Sequence, residues 1–108
     1  MVPIDTVRKL ALSLPDTQEA PHFEKTSFRA KKKIFVTLDE KSGVATFKFS
    51  EIDQSVFCTV DKSAIYPVPN KWGKSGWTHM VLSKVTKSLV KDALQKAYEE
   101  VVRSKRKS

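Results

Sequence analysis

The chain has 108 residues, a formal charge of +8, 40% apolar and 30% charged residues, and only three glycines. That composition fits one globular domain and argues against low-complexity and disordered chains. No apolar run approaches the ~20 residues of a membrane span, and the segment MVPIDTVRKLALSLP mixes apolar and charged residues where a signal peptide would be continuous.

Ile4, Val7, Leu10, Ala11 and Leu14 fall at helical spacing, with Pro3 suited to the start and Pro15 to the stop. Extended sequence follows. Thr26 to Ala30 alternates, and so does Lys33 to Asp39, which predicts Ile34, Val36 and Leu38 on one face and Phe35 and Thr37 on the other. Val44 to Phe49 alternates with Ala45, Phe47 and Phe49 inward. The short connections Lys31-Lys32 and Glu40 to Gly43 imply antiparallel neighbours. Ser50, followed by Glu51 and Asp53, reads as the cap of a short helix whose expected buried face is Ile52, Val56 and Phe57. Ile65 to Val68 is extended, with Pro67 and Pro69 marking an edge or a strand end. Trp77 to Leu82 alternates with Met80 and Leu82 inward. Thr86 caps a final helix in which Leu89-Val90, Ala93-Leu94, Ala97-Tyr98 and Val101-Val102 recur every four residues. The predicted order is α-β-β-β-α-β-β-α: an α+β domain over residues 1–103, an antiparallel sheet of about five strands with helices packed on it, and a basic tail over 104–108.

Four of the positive charges, Arg103, Lys105, Arg106 and Lys107, lie in the last six residues, so the folded part carries about +4. Within it the basic residues gather at turns and at a helix start. Arg29, Lys31, Lys32 and Lys33 surround one tight connection, Lys71 and Lys74 another, and Lys84 and Lys87 flank the last helix start. Each alone reads as a solvated lysine; together they suit phosphates if they share a face. The single cysteine, Cys58, points to no disulfide and reads as a small, partly buried residue. His22 and His79 stand apart with no metal-site spacing, and each reads as a half-buried hydrogen-bonding residue. No nucleophile motif or phosphate-cradling glycine loop occurs. A monomeric cytoplasmic protein without catalysis, metal or cofactor is the expectation.

In NKWGKSGW, Gly73 and Gly76 bracket a turn that brings Trp72 and Trp77 to the base of a hairpin. The expectation is a mostly buried Trp72 beneath Tyr66 and Val68, and a partly covered Trp77 sharing a strand face with His79.

Leu14-Pro15, Glu19-Ala20-Pro21-His22-Phe23, Ser27-Phe28-Arg29, Lys33-Ile34-Phe35, Tyr66-Pro67-Val68-Pro69 and Trp72-Gly73-x-x-Gly76-Trp77 together resemble the MmcQ/YjbR family of small bacterial proteins. The resemblance runs from the first helix to Trp77. It implies a fold likened to that of the bacterial frataxin CyaY, and a DNA-binding label that rests on likeness to a double-wing motif. Asp5 is the only carboxylate from Met1 to Leu14, so the acidic first helix that frataxins use for iron is missing.

Two functional expectations follow. The first is binding of nucleic acid, as duplex DNA, through Arg29, Lys31, Lys32, Lys33, Lys71, Lys74, Lys84 and Lys87. The alternative is a module that takes a small ligand or a protein partner in a pocket near His22, Trp72, Trp77 and His79.

Overall fold

A computed structural model describes residues 2–22 and 25–103, with His22 described by its backbone alone. Helix α1 (Ile4–Leu12) leads into four strands, β1 (Thr17–His22), β2 (Lys25–Ala30), β3 (Lys33–Asp39) and β4 (Val44–Lys48). Helix α2 (Glu51–Cys58), strand β5 (Ile65–Pro67), the single turn α3 (Lys71–Lys74) and strand β6 (Trp77–Val81) follow. A 3-10 turn at Leu82–Lys84 then leads to α4 (Lys87–Arg103). The strands form one antiparallel sheet in the order β1-β2-β3-β4-β6-β5.

The α+β class is as expected, with six strands in place of about five. The added strand, β1, is TQEAPH. It has little β-branched or aromatic character, and it carries Pro21, which only an edge strand accommodates. Pairing along all of β2, from Thr17 opposite Ala30 to His22 opposite Lys25, makes it a strand. The basic tail over 104–108 lies outside the described residues.

One face of the sheet holds the core. Phe28, Val36, Phe47 and Thr78 are paired across four strands and are all buried, with Leu38, Ala45 and Met80 one step along. Helix α4 covers this face with Val90, Ala93, Leu94, Ala97 and Val101. Thr86 starts it as expected, its Oγ1 accepting the Leu89 N–H at 3.2 Å. Helix α1 buries Val7 and Ala11, and the Tyr98 hydroxyl donates to the Pro15 carbonyl at 2.9 Å, tying α4 to the turn after α1.

Two local expectations are corrected. Phe28 pairs with Val36 but Arg29 pairs with Ile34, so Phe35 is the extra residue of a β-bulge. The bulge breaks the alternation: Phe35 joins the core, edge-on to Tyr98 at 5.7 Å, and Ile34 moves to the opposite face. In α2, Ser50 Oγ accepts the Asp53 N–H at 3.0 Å as expected. The buried face, however, is set by Phe57, stacked on Phe49 at 4.7 Å, and by Gln54, whose amide reaches the Gly73 carbonyl at 2.9 Å and Thr78 Oγ1 at 3.1 Å. With Gln54 and Phe57 turned inward, 100° per residue sends Ile52 and Val56 outward, 76% and 58% exposed.

Candidate functional site

The other face of the sheet is a different surface. Residues paired across antiparallel strands share a face, and the register runs Ala20, Ser27, Thr37, Thr46, His79, Tyr66 across all six strands. The row is mostly polar where its opposite is mostly apolar, and its Ser27, Thr37 and Thr46 are buried. Towards one end of the strands the same face carries Arg29, Ile34, Lys48 and Trp77.

On this face lies a cavity of about 350 Å³. Ile34 and Thr37 of β3, Thr46 of β4, and Trp77 and His79 of β6 form its floor; Lys25 of β2 stands on one side, and Val68 and Trp72 come from the segment between β5 and β6. The bulge at Phe35 is what brings Ile34 to the same face as Thr37.

His79 is the best-defined polar group here. Its Nδ1 lies 2.8 Å from Thr46 Oγ1, and its ring meets Tyr66 edge-on at 5.6 Å. Burial, and secondarily the Lys25 ammonium, push its pKa below the ordinary 6.5, so the ring is neutral at neutral pH. Thr46 occupies one ring nitrogen and fixes the ring plane. Nε2 makes no hydrogen bond among the described residues, and a neutral ring offers it as donor or acceptor according to tautomer.

The Trp-bearing turn is built differently from expectation. Residues Lys71–Lys74 form one helical turn capped by Asn70, whose Oδ1 accepts the Trp72 N–H at 2.8 Å. Gly73 is the buried member: a Cβ there would lie 2.1 Å from the Val68 carbonyl oxygen. Only Gly76 of the two glycines takes a positive φ, +107°, and a Cβ there would lie 1.9 Å from the Phe49 carbonyl oxygen. Because glycine faces inward, the neighbouring indole faces out: Trp72 is 59% exposed, where a buried ring was expected. Trp77 is partly covered, as expected.

The basic residues divide between the two ends of the sheet. Lys31 and Lys32 form the two-residue connection from β2 to β3, both with positive φ, 52° and 70°. Lys33 opens β3, Lys48 closes β4 opposite Trp77, and Lys71 and Lys74 sit on the turn leading into β6. All of these occupy one end of the strands. Lys48 is partly engaged, donating to the Ser75 carbonyl at 2.6 Å. Lys84 and Lys87 follow the far end of β6, where Val81 pairs with Val44. The five-residue length of β4 and β6, roughly 16 Å, separates them from the first group. Lys84 Nζ instead contacts the Ser63 carbonyl at 3.5 Å. Arg29 lies on the open face between Gln18 and Ile34; its Nε is buried and has no hydrogen-bond partner among the described residues.

Thus Trp72, Trp77 and His79 come together as one pocket, and the His22 side chain lies outside the described residues. Sequence reading missed Lys25, Ile34, Thr37, Thr46 and Val68 as lining. The threonines alone left a signal, as polar residues on the outward positions of strongly apolar strands. Cys58 is half-buried beside the core, and burial pushes its thiol pKa up. Among the described residues, no three His, Cys, Asp or Glu side chains gather in a metal-binding group, and no helix is long and apolar enough to cross a membrane.

Fold and site define an α+β domain with one sheet face under helices and the other open, aromatic and polar. The chain belongs to the YjbR family, whose model matches residues 12–100. The fold is shared with Deinococcus radiodurans protein DR2400, whose crystal structure carries the domain DUF419. The two superpose with a TM-score of 0.83 at 20% identity, over 100% of this chain and 83% of that one. At that identity the likeness speaks for the fold. No match was found among curated proteins.

Proposed function

We propose that this protein binds nucleic acid without catalysis, holding the phosphate backbone with the lysines at one end of its sheet. The observation that carries the reading is the Lys31-Lys32 turn. Both residues have positive φ, which asparagine and glycine adopt easily and a side chain such as lysine adopts at a cost of ~1–2 kcal/mol per residue. Two adjacent ammoniums there also repel each other. A strained, like-charged hairpin tip is a reason to look for a ligand, and a polyanion relieves the repulsion. Lys71 and Lys74 at the same end of the sheet extend the cationic surface beside the hairpin. Lys84 and Lys87, at the other end, are outside the proposed contact.

Salt dependence tests it. Log K for labelled duplex should fall with log salt by about 0.9 per phosphate contacted. Lys31→Ala, Lys32→Ala, Lys71→Ala and Lys74→Ala should each reduce that slope by up to ~0.9, and Lys84→Ala and Lys87→Ala should leave it unchanged. Absence of binding to single strands and duplex alike at low salt, or equal effects at the two ends of the sheet, overturns the reading.

A further inference from the structure

We infer that the open-face pocket takes a single unpaired nucleobase, so that the protein prefers single-stranded nucleic acid to duplex; the inference rests on the nucleic-acid reading above. The volume decides the size of the occupant. At about 350 Å³ the cavity is at the small end of the ~300–1,000 Å³ range of ligand sites. It suits one planar ring system and is too small for a folded peptide element.

The walls decide its chemistry. Two indoles supply flat apolar surface, and the one at the mouth is 59% exposed. An exposed indole beside a groove is the platform on which unstacked bases lie. The floor supplies hydrogen-bonding groups for a base edge: the neutral His79 ring, with Nε2 unengaged among the described residues and Nδ1 held by Thr46, and the Thr37 hydroxyl. Among the described residues no carboxylate lines the cavity, and the one charged lining residue is Lys25. Lys25 disfavours a cationic ligand and suits a neutral base that carries its phosphate alongside. Arg29 adds a second cue, since its buried Nε has no acceptor among the described residues and its register neighbour Ile34 is part of the pocket floor.

Position joins base to backbone. Lys71 and Trp72 are consecutive on α3, so a strand whose base lies on Trp72 passes its phosphates across Lys71 and Lys74. In a duplex the base is paired and stacked, and entering the pocket would require flipping it out.

The experiment compares a short labelled oligothymidylate with a duplex of equal length at low salt. The full chain is set against Trp72→Ala, whose indole is exposed enough to lose without unfolding, and against Thr46→Val, which frees the His79 ring. The single strand should bind at least ~10-fold more tightly than duplex and quench tryptophan emission. Trp72→Ala should weaken single-strand binding by about 5- to 100-fold, the range for one base-stacking aromatic, and leave duplex affinity and the lysine-dependent salt slope unchanged. Thr46→Val should weaken the single strand and not the duplex. Equal affinity for the two forms, or single-strand binding that survives Trp72→Ala and Thr46→Val while the lysine variants still reduce it, overturns the base pocket and leaves the phosphate reading standing. No binding of either form overturns both.

Discussion

Gly73→Ala sets two physical effects against each other. Gly73 sits inside a helical turn with no positive φ, and on helix propensity alone alanine there should stabilise the fold by up to ~1 kcal/mol. The surroundings predict the opposite. The added Cβ would lie 2.1 Å from the Val68 carbonyl oxygen, where ordinary contact begins at 3.4 Å. Neither group is the end of a flexible side chain, so two stretches of backbone must part by about 1.3 Å. Overpacking of this kind costs ~1–3 kcal/mol. The displaced turn would also loosen the Gln54 contact to the Gly73 carbonyl, now 2.9 Å, and shift Trp72 from the pocket mouth. The net expectation is a destabilisation of ~1–2 kcal/mol, which for a domain near this size lowers Tm by roughly 4–8 °C per kcal/mol. Urea unfolding followed by tryptophan emission measures both consequences, since the midpoint reports stability and the native spectrum reports the indoles. A variant as stable as the parent, or more so, would mean that the close approach of α3 to Val68 does not constrain the fold.

Leu94→Ala should lower stability by ~2–5 kcal/mol, because its side chain is buried mid-stripe on α4 against the sheet; the exposed Lys91→Ala should change it by less than ~0.5 kcal/mol, and equal small losses in denaturant melts would show that the helix face is misassigned. Stability should also fall on mild acidification through His79. Its folded pKa lies below 6.5, so the unfolded chain takes up the proton first; the contribution is present above that value and is lost as pH falls through the folded pKa. Urea midpoints from about pH 7.5 to about pH 5 should therefore decline less steeply in His79→Gln than in the parent, and parallel declines would refute the assignment.

What the sequence reveals and what it hides divide along physical lines. Helix α4 is legible because its period and its Thr86 cap are local and agree. The strand faces of β4 and β6 are legible because alternation is local too. Phe35 is not, since the bulge exists only in the pairing of β3 with β2, and a reading of β3 alone keeps strict alternation. Strand β1 has weak intrinsic preference and is made by its partner. Helix α2 misleads because one polar side chain, Gln54, has enough carbonyl and hydroxyl partners to outweigh the burial of Ile52 and Val56. For the site, Trp72, Trp77 and His79 were readable as neighbours from the turn that joins them. The inward glycine that expels the Trp72 ring was not, because its cause is a backbone contact with Val68. That the lysine clusters fall at opposite ends of the sheet follows from strand register, which no single segment encodes.

Each outer strand of the sheet carries a proline, Pro21 on β1 and Pro67 on β5. A proline can sit in a paired strand only where its missing N–H would have pointed away from the neighbour. Each free rim therefore lacks a donor at one point along its length, and a second sheet arriving edge to edge finds its ladder interrupted. The same geometry keeps the molecule from growing sideways through its sheet. Two molecules joined rim to rim would extend the polar row from Ala20 to Tyr66 into a continuous ribbon, and the prolines interrupt that polymer at both of its possible seams.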